Sequence, residues 1–208
     1  MGGAGAIFAA GVVIAAFMWF GLRMRRKQRQ ARFRAIADEL SFAWVSADDK
    51  ARRRRLATFR LFSSVDASRA YAILTGQVRG YPVTVFDYDY GDIVNGGFNP
   101  YLVLVFETER DLPAFWLHPK GSLNSMGTGG ATVLATFPEL RGYVLEGEVP
   151  EPALLAHCDG IRAQKRWPSV ASRGNTMIYY EPLRQRPSLE IVRRILDDGA
   201  QAYQAFGG

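Results

Sequence analysis

Three carboxylates lie close together in the sequence, at Asp87, Asp89 and Asp92. Carboxylate oxygens are the preferred ligands of hard cations, and carboxylates also carry out general acid–base catalysis. The stretch lacks the Asp-x-Asn/Asp-Gly pattern of a calcium-binding loop, and bulky tyrosines stand between the carboxylates. The alternation favours a strand that ends in a turn, with exposed Asp87 and Asp89 between packed aromatic side chains. We predict no metal ion there and keep the two residues as surface or site candidates.

His118, His157 and Cys158 are the only histidines and the only cysteine of the chain. The adjacent His157 and Cys158 offer two ligands where a structural zinc site needs four. Cys158 also falls near the apolar face of a predicted helix, which is typical of a packed thiol. An enzyme would need His118 to approach Cys158 as a nucleophile pair, or Asp87 or Asp89 as an acid–base pair. His118 is therefore the third site candidate.

Known cofactor motifs are missing from the sequence. The glycine-rich stretch 127–130 lacks the Lys-Ser/Thr that completes a phosphate-binding loop, and no dinucleotide fingerprint, kinase signature or Gly-x-Ser-x-Gly element occurs. We predict a flexible connector at this stretch and no cofactor.

An uncharged apolar run, residues 2–22, precedes all of these candidates. About 20 helical residues, at roughly 1.5 Å each, cross a hydrocarbon core of about 30 Å. The run predicts a single transmembrane helix. A signal peptide carries its positive charge before the apolar stretch, whereas here the charge follows it, so we expect an uncleaved anchor.

A basic collar follows the run at once, with seven Lys and Arg residues and no acidic residue before position 35. Because Lys and Arg beside a span stay in the cytoplasm, we predict an external N-terminus and a cytoplasmic domain. Basic residues beside a span also attract anionic lipid. The residues predicted to contact membrane lipid are Arg23, Arg25, Arg26, Lys27 and Arg29.

The collar accounts for the whole positive charge of the protein. The chain has 26 basic and 20 acidic residues; seven of the basic ones lie in residues 1–34, so the remaining 19 give residues 35–208 a net charge of −1. This balance argues against nucleic-acid binding through overall charge. The single cysteine allows no intrachain disulfide.

Residues 35–208 are long enough for one domain with its own core, and residues 1–34 form the anchor and collar. Period-two alternation and turn signals predict an α+β domain built on an antiparallel sheet with flanking helices. Strands are expected at 71–78, 83–90, 101–108, 114–118 and 142–148, with a hairpin at 170–181 around Gly174-Asn175. Helices are expected at 33–40, 46–56, 152–166 and 188–206.

The helix expected at 46–56 carries four consecutive arginines, residues 52–55. They form either a second lipid patch or a solvated helix face on which Asp48 and Asp49 stand four residues before Arg52 and Arg53. Small residues recur in the apolar run, but its alanine content explains that spacing equally well, and the oligomeric state stays open.

A set of short motifs resembles a group of uncharacterised bacterial membrane-anchored proteins with one or two N-terminal spans and a cytoplasmic α+β domain. The resemblance covers about residues 55–182 and implies this architecture without an activity. The motifs are Phe59-x-Leu61-Phe62, Gly76, Phe86-Asp87-Tyr88-x-Tyr90, Leu112-Pro113-x-Phe115-x-Leu117-x-Pro119 and Tyr143-x-Leu145-x-Gly147.

Three functional hypotheses follow from these features. The first is a non-enzymatic interaction module that is tethered to the bilayer and binds a protein partner through its aromatic-rich strands or a sheet edge. The second is a domain that lies against anionic lipid through the collar, residues 33–40 and residues 52–55. The third is an enzyme that uses Asp87 or Asp89 with His118.

Overall fold

The computed structural model describes residues 3–45, 54, 56–63, 70–90, 99–120, 140, 142–162, 168–183 and 185–207. Within its helices and strands, the side chains of residues 3–18, 22, 25, 26, 63, 71, 90 and 158–162 are outside the description. The residues expected to form the glycine-rich connector at 127–130, the carboxylate Asp92 and most of the helix expected at 46–56 lie outside it too.

A single long helix, α1 (Gly3–Leu40), contains both the apolar run and the basic collar. Phe33, Ile36 and Ala37 are buried at helical spacing, which confirms the predicted amphipathic extension. The domain boundary predicted after residue 34 therefore falls inside a helix that is already part of the core. Within the part of the chain that the structure describes, no helix is both long and apolar enough to cross a membrane.

Among the described residues, six antiparallel strands form one sheet, which confirms the predicted α+β class. Neighbouring strands follow the order β1-β2-β3-β4-β5, and β6 pairs with the other edge of β4. Consequently β3 and β5 pair with successive parts of one edge of β4. The strands are β1 (Ala43–Val45), β2 (Ala70–Val78), β3 (Tyr81–Tyr90), β4 (Asn99–Pro119), β5 (Tyr143–Gly147) and β6 (Ser169–Pro182).

The turn between β2 and β3 consists of Arg79 and Gly80. Arg79 and Gly80 both adopt positive φ, 51° and 83°, which is the requirement of a two-residue type I′ hairpin turn. The turn brings Val78 opposite Tyr81 and sets the register that places Asp87 opposite Ala72 of β2.

Two sequence predictions about strands are wrong, for one physical reason. The strands expected at 101–108 and 114–118 are one continuous strand, and the hairpin expected around Gly174 is the middle of β6. Between Glu107 and Phe115 the pairing of β4 with β6 shifts its register, and Gly174, at φ 57°, lies opposite Leu112. The glycine and the polar residues that suggest a turn therefore mark an irregular, bent part of a long strand pair.

Helices cover one face of the sheet and a short segment covers the other. On the first face lie α1, α3 (Glu151–Arg162) and α4 (Leu189–Gly207), with α4 contributing Val192, Ile195 and Leu196 to the core. The second face is covered by residues 56–63, which include the short helix α2 (Arg60–Ser63) and bury Phe59 and Phe62. Because both faces are covered, residues of both parities on β3 are buried.

The packing of α1 onto β2 depends on one glycine. A methyl group at Gly76 would overlap the ring of Phe42, which follows α1 and is itself buried. We expect Gly76→Ala to lower the free energy of unfolding by about 1–3 kcal/mol, because the ring must leave its position. Gly21→Ala is the matched control, since a Cβ there meets no atom within 4 Å. Thermal unfolding of both variants measures the difference, and equal melting temperatures would contradict this packing.

Candidate functional site

Arg29 of α1 reaches the sheet and binds two carboxylates of β3. Its Nη1 donates to Asp89 Oδ1 at 2.7 Å, and its Nη2 donates to Asp87 Oδ1. Asp87 is fully buried, Asp89 is 8% exposed, and the Arg29 side chain is 22% exposed. The two carboxylates share one face because they stand two residues apart on a strand. We call Arg29, Asp87 and Asp89 the arginine clamp.

Burial decides the protonation chemistry of the clamp. It raises the pKa of Asp87 from 3.8 to about 6, against the attraction of Arg29, and the charge of Asp89 adds to the increase. Burial alone would lower the pKa of Arg29, but its two carboxylate partners raise it above the ordinary value. Arg29 therefore stays charged, and Asp87 titrates at about pH 6.

The clamp corrects three of the sequence assignments. Asp87 and Asp89 are buried rather than exposed, because α1 packs across the face of the sheet on which they lie. Arg29 was grouped with the lipid-contacting collar, but its guanidinium pairs with the sheet. Arg23 and Lys27 are exposed, and the side chains of Arg25 and Arg26 are outside the described residues. Lipid contact by these four stays a prediction.

His118 lies on the other face of the sheet, away from the clamp. Its ring stacks on Trp116 with 4.0 Å between centroids, and its Nε2 is 3.5 Å from Glu146 Oε1. Trp116 belongs to the core under residues 56–63, whereas the clamp lies on the face covered by α1. The acid–base pairing of His118 with Asp87 or Asp89 is therefore wrong. Alternation along a strand predicts which residues share a face of the sheet, but the sequence does not show which segment covers each face.

Glu146 connects His118 to the segment that covers this face. Arg60 binds both carboxylate oxygens of Glu146, at 3.2 and 3.1 Å, and its guanidinium lies 5.0 Å from the centroid of the Trp116 ring. Tyr88 donates to the carbonyl of Leu61, in the same segment, at 3.2 Å. These contacts hold residues 56–63 on the sheet, which gives Glu146 a structural role.

His157 is buried on α3, among the helices that cover the first face of the sheet. Its ring centroid lies 5.1 Å from that of Phe206 of α4. Burial lowers the pKa of His157 to about 4, so the imidazole is neutral at physiological pH. The side chain of Cys158 is outside the described residues. Among the residues that are described, no group of three or more His, Cys, Asp or Glu side chains could hold a metal ion.

A cleft of about 540 Å³ opens beside the clamp, and the sequence did not predict it. It lies between α1 and the segment that joins β6 to α4, and Gln28, Arg29, Arg32, Pro100 and Arg186 are among its lining residues. Arg186 stands far from the collar in the sequence, so no local pattern could have grouped it with Arg32. We call this feature the arginine cleft.

The fold has a counterpart among solved structures. The crystal structure of the mycobacterial trehalose monomycolate transport factor A, TtfA, is similar to this chain with a TM-score of 0.57. The likeness covers 86% of this chain and 96% of that one at 13% sequence identity, and it therefore shows a shared fold. No protein-family model matches the sequence, and no curated protein matches it either.

The raised pKa of Asp87 predicts a pH dependence of stability. The folded protein holds the Asp87 proton more tightly than the unfolded chain, so this contribution is present below about pH 4 and is lost as the pH rises to about 6. Asp87→Asn keeps the shape of the side chain and removes the titration. Between about pH 4 and pH 7, the unfolding free energy of the wild type relative to this variant should fall, by at most roughly 3 kcal/mol.

Urea unfolding of both proteins across this pH range measures the difference. His157 contributes with the opposite sign, because burial lowers its pKa, but it does so in both proteins and cancels on subtraction. A difference that is flat, or that rises with pH, would show that Asp87 does not titrate in the folded protein as described.

Proposed function

We propose that this protein is a non-enzymatic accessory factor, tethered to the membrane through residues 2–22, whose α+β domain binds a partner at the cytoplasmic face. One observation carries the proposal: α1 continues without a break from the apolar run into the core of the domain. The clamp fixes that helix to the sheet, so that anchor and domain act as one rigid unit.

The distance along α1 supports a position close to the bilayer. Arg29 is seven residues beyond the end of the apolar run, or about 10 Å along a helix. Trp19 and Phe20, near the end of the run, are 61% and 59% exposed, and the guanidinium of Arg23 lies 5.2 Å from the Trp19 ring centroid. Exposed aromatic residues beside a basic residue are typical of the membrane–water interface.

The site geometry and the fold likeness both favour binding over catalysis. Asp87 and Asp89 are engaged by Arg29, and His118 lies on the opposite face, so the acid–base hypothesis has no geometric support. TtfA is described as a transport factor for trehalose monomycolate. We base only the accessory role on this likeness. We do not extend trehalose monomycolate, which is named for TtfA, to this protein.

The tether predicts that charges in the apolar run release the protein. Val13→Arg with Ala16→Arg places two guanidiniums near the middle of the run, at a cost of about 2.5–3.5 kcal/mol each in hydrocarbon. We expect the wild type in the membrane pellet after a high-salt wash and the double variant in the supernatant. The matched control, Val13→Leu with Ala16→Leu, should stay in the pellet.

Protease protection tests the orientation. Protease added to inverted membrane vesicles should digest the domain, whereas right-side-out vesicles should protect it, because the collar is expected to hold the domain in the cytoplasm. A wild-type protein that leaves the membrane in high salt would contradict the tether. Digestion in right-side-out vesicles alone would contradict the orientation.

A further inference from the structure

The arginine cleft contains two positive charges, on Arg32 and Arg186, that no described residue pairs with. Arg32 of α1 and Arg186, just after β6, line it together with Arg29. The charge of Arg29 is matched by Asp87 and Asp89. Arg32 and Arg186 are exposed and make no ion pair or hydrogen bond with any residue that the structure describes. Two guanidiniums that share one cleft repel each other unless an anion lies between them.

The fold holds these two arginines in place from both sides. On the α1 side, the clamp fixes the turn of helix that carries Arg32. On the other side, the backbone N–H of Leu183 donates to the carbonyl of Pro100 at 2.7 Å, and Leu183 is buried. The start of the segment that carries Arg186 is thereby tied to Pro100 of β4, which also lines the cleft.

The chemistry of the lining identifies a class of ligand. Guanidinium groups bind phosphate oxygens through paired, charge-assisted hydrogen bonds. The side-chain amides of Gln28 and Gln185 add neutral donors, and Pro100 gives the cleft an apolar wall. A volume of about 540 Å³ lies within the range of small-molecule sites.

The position of the cleft favours a ligand in the membrane surface. Residues 28–32 lie six to ten residues beyond the apolar run, or about 9–15 Å along α1. Headgroups extend roughly 5–8 Å beyond the hydrocarbon core, so the near end of the cleft lies within a few ångströms of their outer edge. We infer that Arg32 and Arg186 bind the phosphate of an anionic amphiphile. The membrane position, but not the phosphate chemistry, rests on the proposed tether.

Binding of a short, water-soluble lipid by the full-length protein tests this site. The probe is dihexanoyl-phosphatidylglycerol, titrated by calorimetry into protein held in a nonionic detergent. Arg32→Gln with Arg186→Gln should weaken binding by about tenfold or more, because each lost charged hydrogen bond contributes substantially. Arg110→Gln with Arg193→Gln removes the same charge from exposed positions elsewhere, and its affinity should stay within about twofold of the wild type.

A parallel titration with inorganic phosphate separates the two sources of this chemistry. Tighter binding of the lipid assigns the cleft to a headgroup, whereas equal binding of inorganic phosphate keeps the phosphate site and overturns the lipid assignment. Equal losses in both double variants, or no binding of either probe by the wild type, would overturn the site itself. Both cleft arginines are exposed, so an unchanged melting temperature without ligand verifies folding. The dissolved lipid needs no bilayer, so this site and the proposed tether can fail independently.

Discussion

The bridge from Arg29 to Asp87 and Asp89 is the interaction on which the rest of this structure depends. The part of α1 that follows the basic collar carries polar side chains. These side chains favour water, so packing this part of the helix against a sheet is costly. Arg29 overcomes this by pairing with two carboxylates that the same helix buries, and Phe33, Ile36 and Ala37 then enter the core one to two turns later. The clamp and this apolar stripe therefore support each other: without the stripe the carboxylates would be solvated, and without Arg29 the stripe would cover two unpaired charges.

The bridge contributes more to specificity than to raw stability. A buried ion pair often gains little over a well-packed apolar replacement, because removing charges from water costs as much as their attraction returns. Asp87 shows this directly, since burial raises its pKa even with a guanidinium beside it. What the pair does enforce is the position of α1 along β3, since a shift of the helix by one residue would leave both carboxylates buried without a partner. This fixed position sets the distance between the end of the apolar run and the arginine cleft.

Local patterns in the sequence predicted the elements better than the contacts between them. Strands β2, β3 and β5 and the helices α3 and α4 follow from alternation, from turn signals and from apolar spacing, because those signals are local. The continuity of β4 and β6 could not be predicted from local patterns, because a glycine such as Gly174 occurs in a bent strand pair as readily as in a hairpin turn. The two-residue alternation at Asp87 and Asp89 showed that they share a face. Arg29 covers that face only because α1, nearly sixty residues earlier in the sequence, packs on the sheet. Arg186 is even farther from Arg32 in the sequence, although both line the cleft.

Hydrogen exchange along α1 tests most directly whether the clamp joins the helix to the sheet. In the wild type at about pH 7.5, amides of residues 33–40 should exchange as slowly as those of β3, because helix and sheet open together. Arg29→Gln leaves two buried carboxylates without their cation, and a loss of about 3–5 kcal/mol should speed exchange in 33–40 by a hundredfold or more. Lys27→Gln, an exposed change on the same helix, is the control and should leave the rates unchanged. If Arg29→Gln leaves the protection of residues 33–40 equal to that of the control, the clamp does not hold α1 on the sheet, and the rigid link between the apolar run and the domain is contradicted.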